Sequence, residues 1–271
     1  MTLSSVVFVG GGNMAGALIG GLLRSGWAPG AISVIEPDEA RRATLQSSFG
    51  VRALGAADDS LIGVDCAVWA VKPQLFTAAA APCAAYLAGA LQLSVMAGIR
   101  SDAIVQATGS ERVVRAMPNT PALIGQGMSG LYARAAVSIG ERAEIERLLA
   151  PTGQTLWVER EEQLDAVTAL SGSGPAYVFY VLEALIEAGV ELGLSAAQSK
   201  QLALATFAGA TALARDAGEP PEVLRQRVTS KGGTTHAAIT ALDADGVKAA
   251  FGRALKAAHR RAAELGDEFG R

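Results

Sequence analysis

The feature that most constrains the fold is a glycine-rich turn between an apolar strand-like run and a helix-like run. The run SSVVFVGGG leads directly into NMAGALIGGLLRSG, whose apolar residues recur with helical spacing. In the frame G-x-G-x-x-A, Gly10 permits a tight turn, Gly12 lets the backbone approach a diphosphate, and Ala15 permits close helix–strand packing. The helix start supplies free amides and a positive dipole end. This turn predicts dinucleotide binding by Val9, Gly10, Gly11, Gly12, Asn13 and Met14.

Strand-like and helix-like segments alternate through the first 100 residues, as in a doubly wound α/β domain. AISVIEP is the second strand, and DEARRATLQSSFG is a charged surface helix. The short apolar runs CAVWAVKP and LQLSVMAG are typical of parallel strands that are covered on both faces. Further strands are predicted at RVVRAMP, GMSGLYA and TLWVE. We therefore predict a dinucleotide-binding domain over residues 1–162.

The pattern changes from about Leu164 onward, where helices are predicted and strands are not. In PAYVFYVLEALIEAGVELGLS the charges are confined to Glu183, Glu187 and Glu191, which share one helical face. The remaining apolar surface must be buried, either in the core of the monomer or against another subunit. We predict an all-helical domain over residues 163–271 that makes the chain an obligate oligomer.

Composition excludes several classes of function. The chain has 271 residues, a net charge of −3 and a pI of about 5.5, which argues against nucleic-acid binding and polybasic membrane contact. The uncharged stretch between Lys72 and Arg100 is long enough to span a membrane, but prolines and polar residues divide it. Cys66 and Cys83 lack metal-ligand spacing, so we expect buried, reduced thiols, no metal and a cytoplasmic location. The N-terminus also lacks the pattern of a signal peptide.

The second strand ends at Glu36, which bears on the choice of dinucleotide. An acidic side chain at this position accepts a hydrogen bond from a ribose 2′-hydroxyl and favours NAD. Arg41 and Arg42 follow closely and could form ion pairs with a 2′-phosphate. The alternative is that both arginines lie on the solvent-exposed face of a helix and have no role in binding. The sequence leaves NADPH and NADH both open.

A second glycine-rich loop, VTSKGGTTHAAITALD from Val228 to Asp243, opens a helix late in the chain without a preceding strand. This stretch resembles the signature of the pyrroline-5-carboxylate reductases. The blocks GGGNMA, AVKPQ, MPNTPA and DAVTALSGSGPAY resemble other blocks of that family in the same order. The resemblance runs from about Val6 to Leu265.

The resemblance implies reduction of 1-pyrroline-5-carboxylate to L-proline with NADPH or NADH, the last step of proline biosynthesis. It also implies a Rossmann domain followed by a helical dimerisation domain, with dimers assembling further, up to decamers. The late loop is expected to hold the substrate carboxylate through Ser230, Gly232, Gly233, Thr234 and Thr235. The nicotinamide end of the cofactor site is expected at Ala70, Val71, Lys72, Pro73, Met96, Ala97 and Gly98. Glu161 matches an acidic position near the ligand in some members.

Two positions depart from the family pattern. Ala57 stands where members often have an asparagine that contacts the adenosine, and Glu36 stands where a small hydroxyl residue often binds a 2′-phosphate. Both departures weaken the expectation of a strict NADP preference.

The expected chemistry is hydride transfer to the C=N carbon of a protonated cyclic imine. We predict Thr235 and Lys72 as catalytic residues, with the Thr235 hydroxyl bonding the imine nitrogen or the nicotinamide amide. Lys72 can equally be a charged residue that ends a strand and has no catalytic role. His236 is better explained as a polar residue in the first turn of a helix than as a catalytic residue. Positioning of the two reactants supplies roughly 7–11 kcal/mol in such reactions.

Two other functions are compatible with a dinucleotide-binding domain followed by helices. A β-hydroxyacid-type dehydrogenase would need a catalytic lysine in the helical domain, where Lys200 is the one lysine before the late loop. A non-catalytic dinucleotide-binding protein would not need the second loop.

Overall fold

The computed structural model describes residues 2–269, and its strands form one eight-stranded sheet. The strands are β1 (Val6–Val9), β2 (Ile32–Ile35), β3 (Arg52–Leu54), β4 (Cys66–Trp69), β5 (Leu91–Ser94), β6 (Val113–Met117), β7 (Gly127–Ala133) and β8 (Gly153–Trp157). Their order is β3-β2-β1-β4-β5-β6-β7-β8. Neighbouring strands are parallel except for the antiparallel pair β6 and β7. The predicted doubly wound sheet is confirmed.

Helices follow most of the strands and, joined by loops and short turns, make up the described chain after β8. They are α1 (Asn13–Arg24), α2 (Glu39–Phe49), α3 (Phe76–Ala80), α4 (Ala84–Leu87), α5 (Ser101–Thr108), α6 (Ile139–Leu149), α7 (Gln163–Val167), α8 (Gly174–Glu191), α9 (Ala196–Ala217), α10 (Pro221–Arg227), α11 (Thr234–Ala244) and α12 (Val247–Phe269). The long helices predicted after Leu164 are confirmed. The sequence pattern misses β3, which has only three residues and exposes its first, Arg52.

Two apolar layers, one on each face of the sheet, form the core. Val6, Phe8 and Val68 belong to the layer that packs under α1, whereas Val7, Val9 and Trp69 belong to the other layer. Neighbouring residues of one strand therefore contribute to opposite layers, as the pleat of a strand requires. This explains why the strands are continuous apolar runs rather than alternating ones.

The chain divides into two compact units. Among the described residues, one unit contains residues 2–175 together with 257–269, and the other is Ala176–Lys256. The boundary predicted at residue 162 lies between the last strand and α7. By compactness, however, the α/β unit continues to Pro175 and includes the last part of α12.

The helical unit buries few of its side chains. Within the described residues 176–256, burial is confined to Leu182, Ser199 and Ala203. Phe179 is 58% exposed and Tyr180 is 74% exposed. Apart from Leu182, the apolar side chains of α8 are therefore not buried within the single chain, which was one of the two expectations for this helix. The 29-residue stretch Gln163–Glu191 is also long and apolar enough to cross a membrane. One such stretch is weak evidence for a membrane span, because the core helix of a soluble protein has the same length and composition.

Candidate active site

The first glycine turn is fixed by close backbone packing between β1 and β4. Gly10 has a φ of 98°, and a Cβ on it would lie 2.8 Å from the carbonyl oxygen of Ala70. Only glycine tolerates both this conformation and this contact. Gly12 is the N-cap of α1, and a Cβ on it would meet nothing within 4 Å. The backbone at Gly12 is therefore open to a ligand, and no N-cap side chain competes for the first amides of α1.

A cleft of about 860 Å³ lies along this turn at the carboxyl ends of β1, β2 and β4. Ligands of open α/β sheets bind at this edge, where the strand order reverses. The cleft brings together most of the predicted cofactor residues: Val9, Gly10, Gly11, Gly12, Asn13, Met14, Glu36, Ala70, Val71 and Lys72. Its open glycine backbone and free helix amides fit a dinucleotide diphosphate.

The remaining predicted nicotinamide residues lie outside this lining. Pro73 begins the turn after β4, Met96 is buried, and Ala97 is half-buried. Gly98 has a φ of 77°, and a Cβ on it would lie 3.2 Å from the carbonyl oxygen of Leu265. The requirement for glycine at this position therefore comes from the packing of α12 against the end of β5.

Glu36 is buried at the end of β2, where two backbone amides hold its carboxylate. The Gly11 amide donates to Oε2 at 3.0 Å, and the Asp38 amide donates to Oε1 at 3.1 Å. Arg42 turns away from the carboxylate and donates to the carbonyl oxygens of Glu36 and Pro37 at 2.9 and 2.7 Å. Arg41 is exposed and lines the cleft.

The cleft also has an apolar part of its lining, of which the sequence indicates only Ala57, the position expected near the adenosine. Its lining includes Ala57, Leu75, Ala79, Pro82 and Cys83. Burial raises the pKa of the Cys83 thiol to about 11, so the thiol stays protonated at neutral pH. These residues are small and apolar, and only their position after β3 and β4 marks them as cleft residues.

The late glycine loop lies in the helical unit and begins α11. Gly232 is exposed with a φ of 77°, and the Gly233 amide donates to the carbonyl oxygen of Ser230 at 3.0 Å. Gly233 is the N-cap and provides no side-chain acceptor. Thr234 is exposed and Thr235 is half-buried in the first turn. The loop thus combines hydroxyl groups with helix amides that no N-cap side chain occupies, which suits a carboxylate.

Glu161 is engaged inside the α/β unit. Its carboxylate accepts hydrogen bonds at 2.6 Å from the amide and the hydroxyl of Ser101, at the start of α5, and at 2.7 Å from Arg115 Nη1. Beside it Arg100 donates to both oxygens of Asp165, at 3.3 and 2.8 Å. Burial lowers the pKa of the Arg115 guanidinium, and the charge of Glu161 opposes that shift.

Lys200, which the β-hydroxyacid-type alternative would need, and His236, the less favoured catalytic candidate, both lie at the surface. Lys200 is exposed near the start of α9, and His236 is exposed on α11. Their surroundings do not form a site among the described residues of the helical unit.

The sheet, the glycine turn at its switch point and the helical unit define a nicotinamide-dinucleotide-dependent oxidoreductase. A family model described as "NADP oxidoreductase coenzyme F420-dependent" matches residues 5–98, and one described as "Pyrroline-5-carboxylate reductase dimerisation" matches residues 161–265. The chain is 42% identical to a pyrroline-5-carboxylate reductase of Pseudomonas aeruginosa over 100% of both chains. It belongs to the pyrroline-5-carboxylate reductase family.

Solved structures agree with this assignment. A pyrroline-5-carboxylate reductase from Coxiella burnetii is similar with a TM-score of 0.91 and 34% identity, covering 97% of this chain and 99% of that one. The pyrroline carboxylate reductase of Plasmodium falciparum, solved with NADP bound, is similar with a TM-score of 0.87 and 27% identity, covering 98% of this chain and 99% of that one. The predicted fold class, with its helical dimerisation domain, is confirmed.

Proposed function

We propose that this chain reduces 1-pyrroline-5-carboxylate to L-proline with NADPH or NADH, the last step of proline biosynthesis. The observation that carries the proposal is the pair of glycine-capped helix starts, one at α1 and one at α11. Each offers backbone amides to an anion, and the reaction needs two anions, a dinucleotide diphosphate and a substrate carboxylate. Full-length similarity to reductases of this name supports the same activity.

The cofactor, when bound, supplies the hydride. The residues proposed to hold it are Val9 to Met14, Glu36, Ala70 to Pro73 and Met96 to Gly98. The first-turn amides of α1 and the bare backbone of Gly12, which is the N-cap of that helix, would bind the diphosphate. Lys72 is exposed at the cleft, where its ammonium group attracts the anionic substrate and cofactor.

The second anion is proposed to bind at the loop formed by Ser230, Gly232, Gly233, Thr234 and Thr235. The hydroxyl groups and the amides of α11 hold the carboxylate, which fixes the ring of the substrate. The Thr235 hydroxyl would accept a hydrogen bond from the N–H of the protonated imine, or would hydrogen-bond to the nicotinamide amide. A protonated imine accepts hydride readily, so orientation rather than a strong protein acid provides most of the acceleration.

Glu161 was predicted as a substrate residue, and its contacts support a different role. Its carboxylate already accepts from Ser101 and Arg115. We propose that Glu161 positions the start of α5 and neutralises Arg115, and a direct contact with substrate is the competing hypothesis.

The helical domain, proposed to begin after residue 162, is a dimerisation domain by its family match. We further propose that dimers assemble up to decamers and that the protein works in the cytoplasm, without a membrane or nucleic-acid partner. The exposed apolar side chains of α8 supply the surface for association.

The activity is tested by the oxidation of NADH and NADPH on addition of 1-pyrroline-5-carboxylate, with proline identified as the product. Thr235→Ala is expected to lower kcat while the protein stays folded, and Thr240→Ala is the matched control on the same helix. Thr240 donates to the carbonyl oxygen of His236 at 2.8 Å and has no proposed role in catalysis. No turnover with either cofactor would reject the proposal.

A further inference from the structure

We propose that Glu36 makes the cleft selective for NADH over NADPH. This inference rests on the proposed dinucleotide-dependent reduction and adds to it which dinucleotide the chain uses. An acid at the end of the second strand bonds the ribose diol in NAD sites, whereas a 2′-phosphate needs positive charge there. The sequence leaves both cofactors open, because Glu36 is followed by two arginines.

The geometry fixes the Glu36 carboxylate in the cleft. Its two oxygens accept from the amides of Gly11 and Asp38, at 3.0 and 3.1 Å, and the residue is only 7% exposed. A side chain held from both sides cannot rotate away to admit a phosphate. Its free lone pairs can still accept hydrogen bonds from ribose hydroxyls.

The same region leaves little positive charge for a 2′-phosphate. Arg42 Nη1 donates hydrogen bonds to the carbonyl oxygens of Glu36 and Pro37, at 2.9 and 2.7 Å, and is therefore already engaged. Its guanidinium carbon would lie 3.6 Å from a Cβ on Gly55, so it packs against the backbone after β3.

Arg41 is the other cation at this end of the cleft. It lines the cleft and is exposed, and among the described residues its guanidinium has no ion pair. An exposed arginine in water offers a phosphate a screened, weak attraction. The buried and fixed negative charge of Glu36 therefore dominates the choice.

The experiment measures the dissociation constants of NADH and NADPH for the full chain by calorimetry, without substrate. We expect NADH to bind at least about tenfold more tightly. In Glu36→Gln and Glu36→Ser the ratio should shift at least about tenfold toward NADPH. Because the ratio is taken within one variant, a loss of folded protein affects both ligands equally.

Asp38→Asn is the matched control. It removes one negative charge from the same end of the cleft, and asparagine keeps the N-cap of α2 that Asp38 forms with the Arg41 amide. Its ratio should change less than about threefold. An equal shift in Asp38→Asn and Glu36→Gln would overturn the inference, because net charge alone would then explain the selectivity.

Two further outcomes are informative. Tighter binding of NADPH to the unmodified chain, or an unchanged ratio in both Glu36 variants, would overturn the assignment of Glu36 and leave the proposed reduction intact. Failure to bind either dinucleotide would overturn both.

Discussion

The two compact units of this chain satisfy their apolar surfaces in different ways. Both core layers belong to the α/β unit, where Phe8, Trp69 and Leu93 are fully buried. The helical unit between 176 and 256 has long helices but leaves residues such as Leu202 and Leu213 more than half exposed. The α/β unit buries its large apolar side chains within one chain, whereas the helical unit leaves many of its own exposed. The helical unit matches a family model for dimerisation, and its exposed apolar side chains are the kind of surface that a second copy would cover.

The largest effect is expected from a charge on the exposed apolar face of α8. Phe179→Glu would bring two unpaired carboxylates into the dimer interface, each with a desolvation cost of several kcal/mol. We expect association to weaken at least about 100-fold and the melting temperature to lose its dependence on protein concentration. Sedimentation and thermal unfolding over a range of concentrations measure both.

Glu183→Gln is the control for this variant, because Glu183 lies on the acidic face of the same helix and is exposed. A Phe179→Glu protein that stays as dimeric as the control would show that the exposed face is not the dimer interface.

The second effect tests whether the α/β unit depends on Glu161. Glu161→Gln leaves Arg115 buried without a full counter-charge, and Arg115 Nε already lacks a partner among the described residues. Breaking a buried pair costs about 3–5 kcal/mol, and the amide keeps part of the hydrogen bonding, so we expect a loss of about 3 kcal/mol in the free energy of unfolding. Denaturant titration measures this loss.

Glu162→Gln, at the exposed neighbouring position, should leave the stability within about 0.5 kcal/mol. Unchanged stability in Glu161→Gln together with a raised KM for 1-pyrroline-5-carboxylate would instead favour the direct substrate role.

The third effect separates folding from binding at the first glycine turn. Gly10→Ala imposes a positive φ and a clash with the Ala70 carbonyl oxygen, and we expect a loss of about 2 kcal/mol in the free energy of unfolding. Gly12→Ala meets no protein atom within 4 Å, so its stability should change by less than about 1 kcal/mol. Because Gly12 lines the cleft, the added methyl group should crowd a bound diphosphate, and dinucleotide affinity should fall at least about tenfold. Equal affinity in Gly12→Ala and the unmodified chain would place the diphosphate elsewhere.

The sequence predicts strands and the dinucleotide cleft most accurately in segments where a single physical requirement determines which residues can occur. Continuous apolar runs predict β1, β2, β4 and β5 because parallel strands are covered on both faces, and the glycine turn predicts the cleft because backbone and phosphate must meet there. The strand β3 was missed because a short edge strand has no such requirement.

Contacts between distant segments were less accessible to sequence reasoning. The partners of Glu161 lie 46 and 60 positions away in the chain, so nothing near the residue indicates them. Gly98 is predicted as a cofactor residue, and the sequence gives no sign that the backbone of Leu265 on the last helix packs beside it. The apolar surface of α8 predicts that this helix is buried, and the described residues of this chain do not cover it.

The smallest effect concerns a hydrogen-bond cluster that belongs to the α/β unit alone. Asp65 Oδ2 accepts from the amides and hydroxyls of Ser4 and Ser5 at 2.8 to 3.1 Å, which ties the start of β1 to the start of β4. Burial acts to raise the pKa of Asp65, and these hydrogen bonds outweigh it and lower the pKa below its ordinary value of 3.8.

A carboxylate whose pKa is lowered by folding stabilises the protein above its ordinary pKa, and this stabilisation is lost as the pH falls through the folded value. Asp65→Asn should therefore cost about 1 kcal/mol at pH 7, because the site is partly exposed. The difference from the unmodified chain should shrink as the pH falls below 3.8 and vanish below the lowered pKa of folded Asp65. Since the cluster lies within one unit, the loss should be the same at every protein concentration, in contrast to Phe179→Glu. A loss at pH 7 that grows on dilution would mean that the α/β unit also depends on a second copy, and the contrast between the two units would then fail.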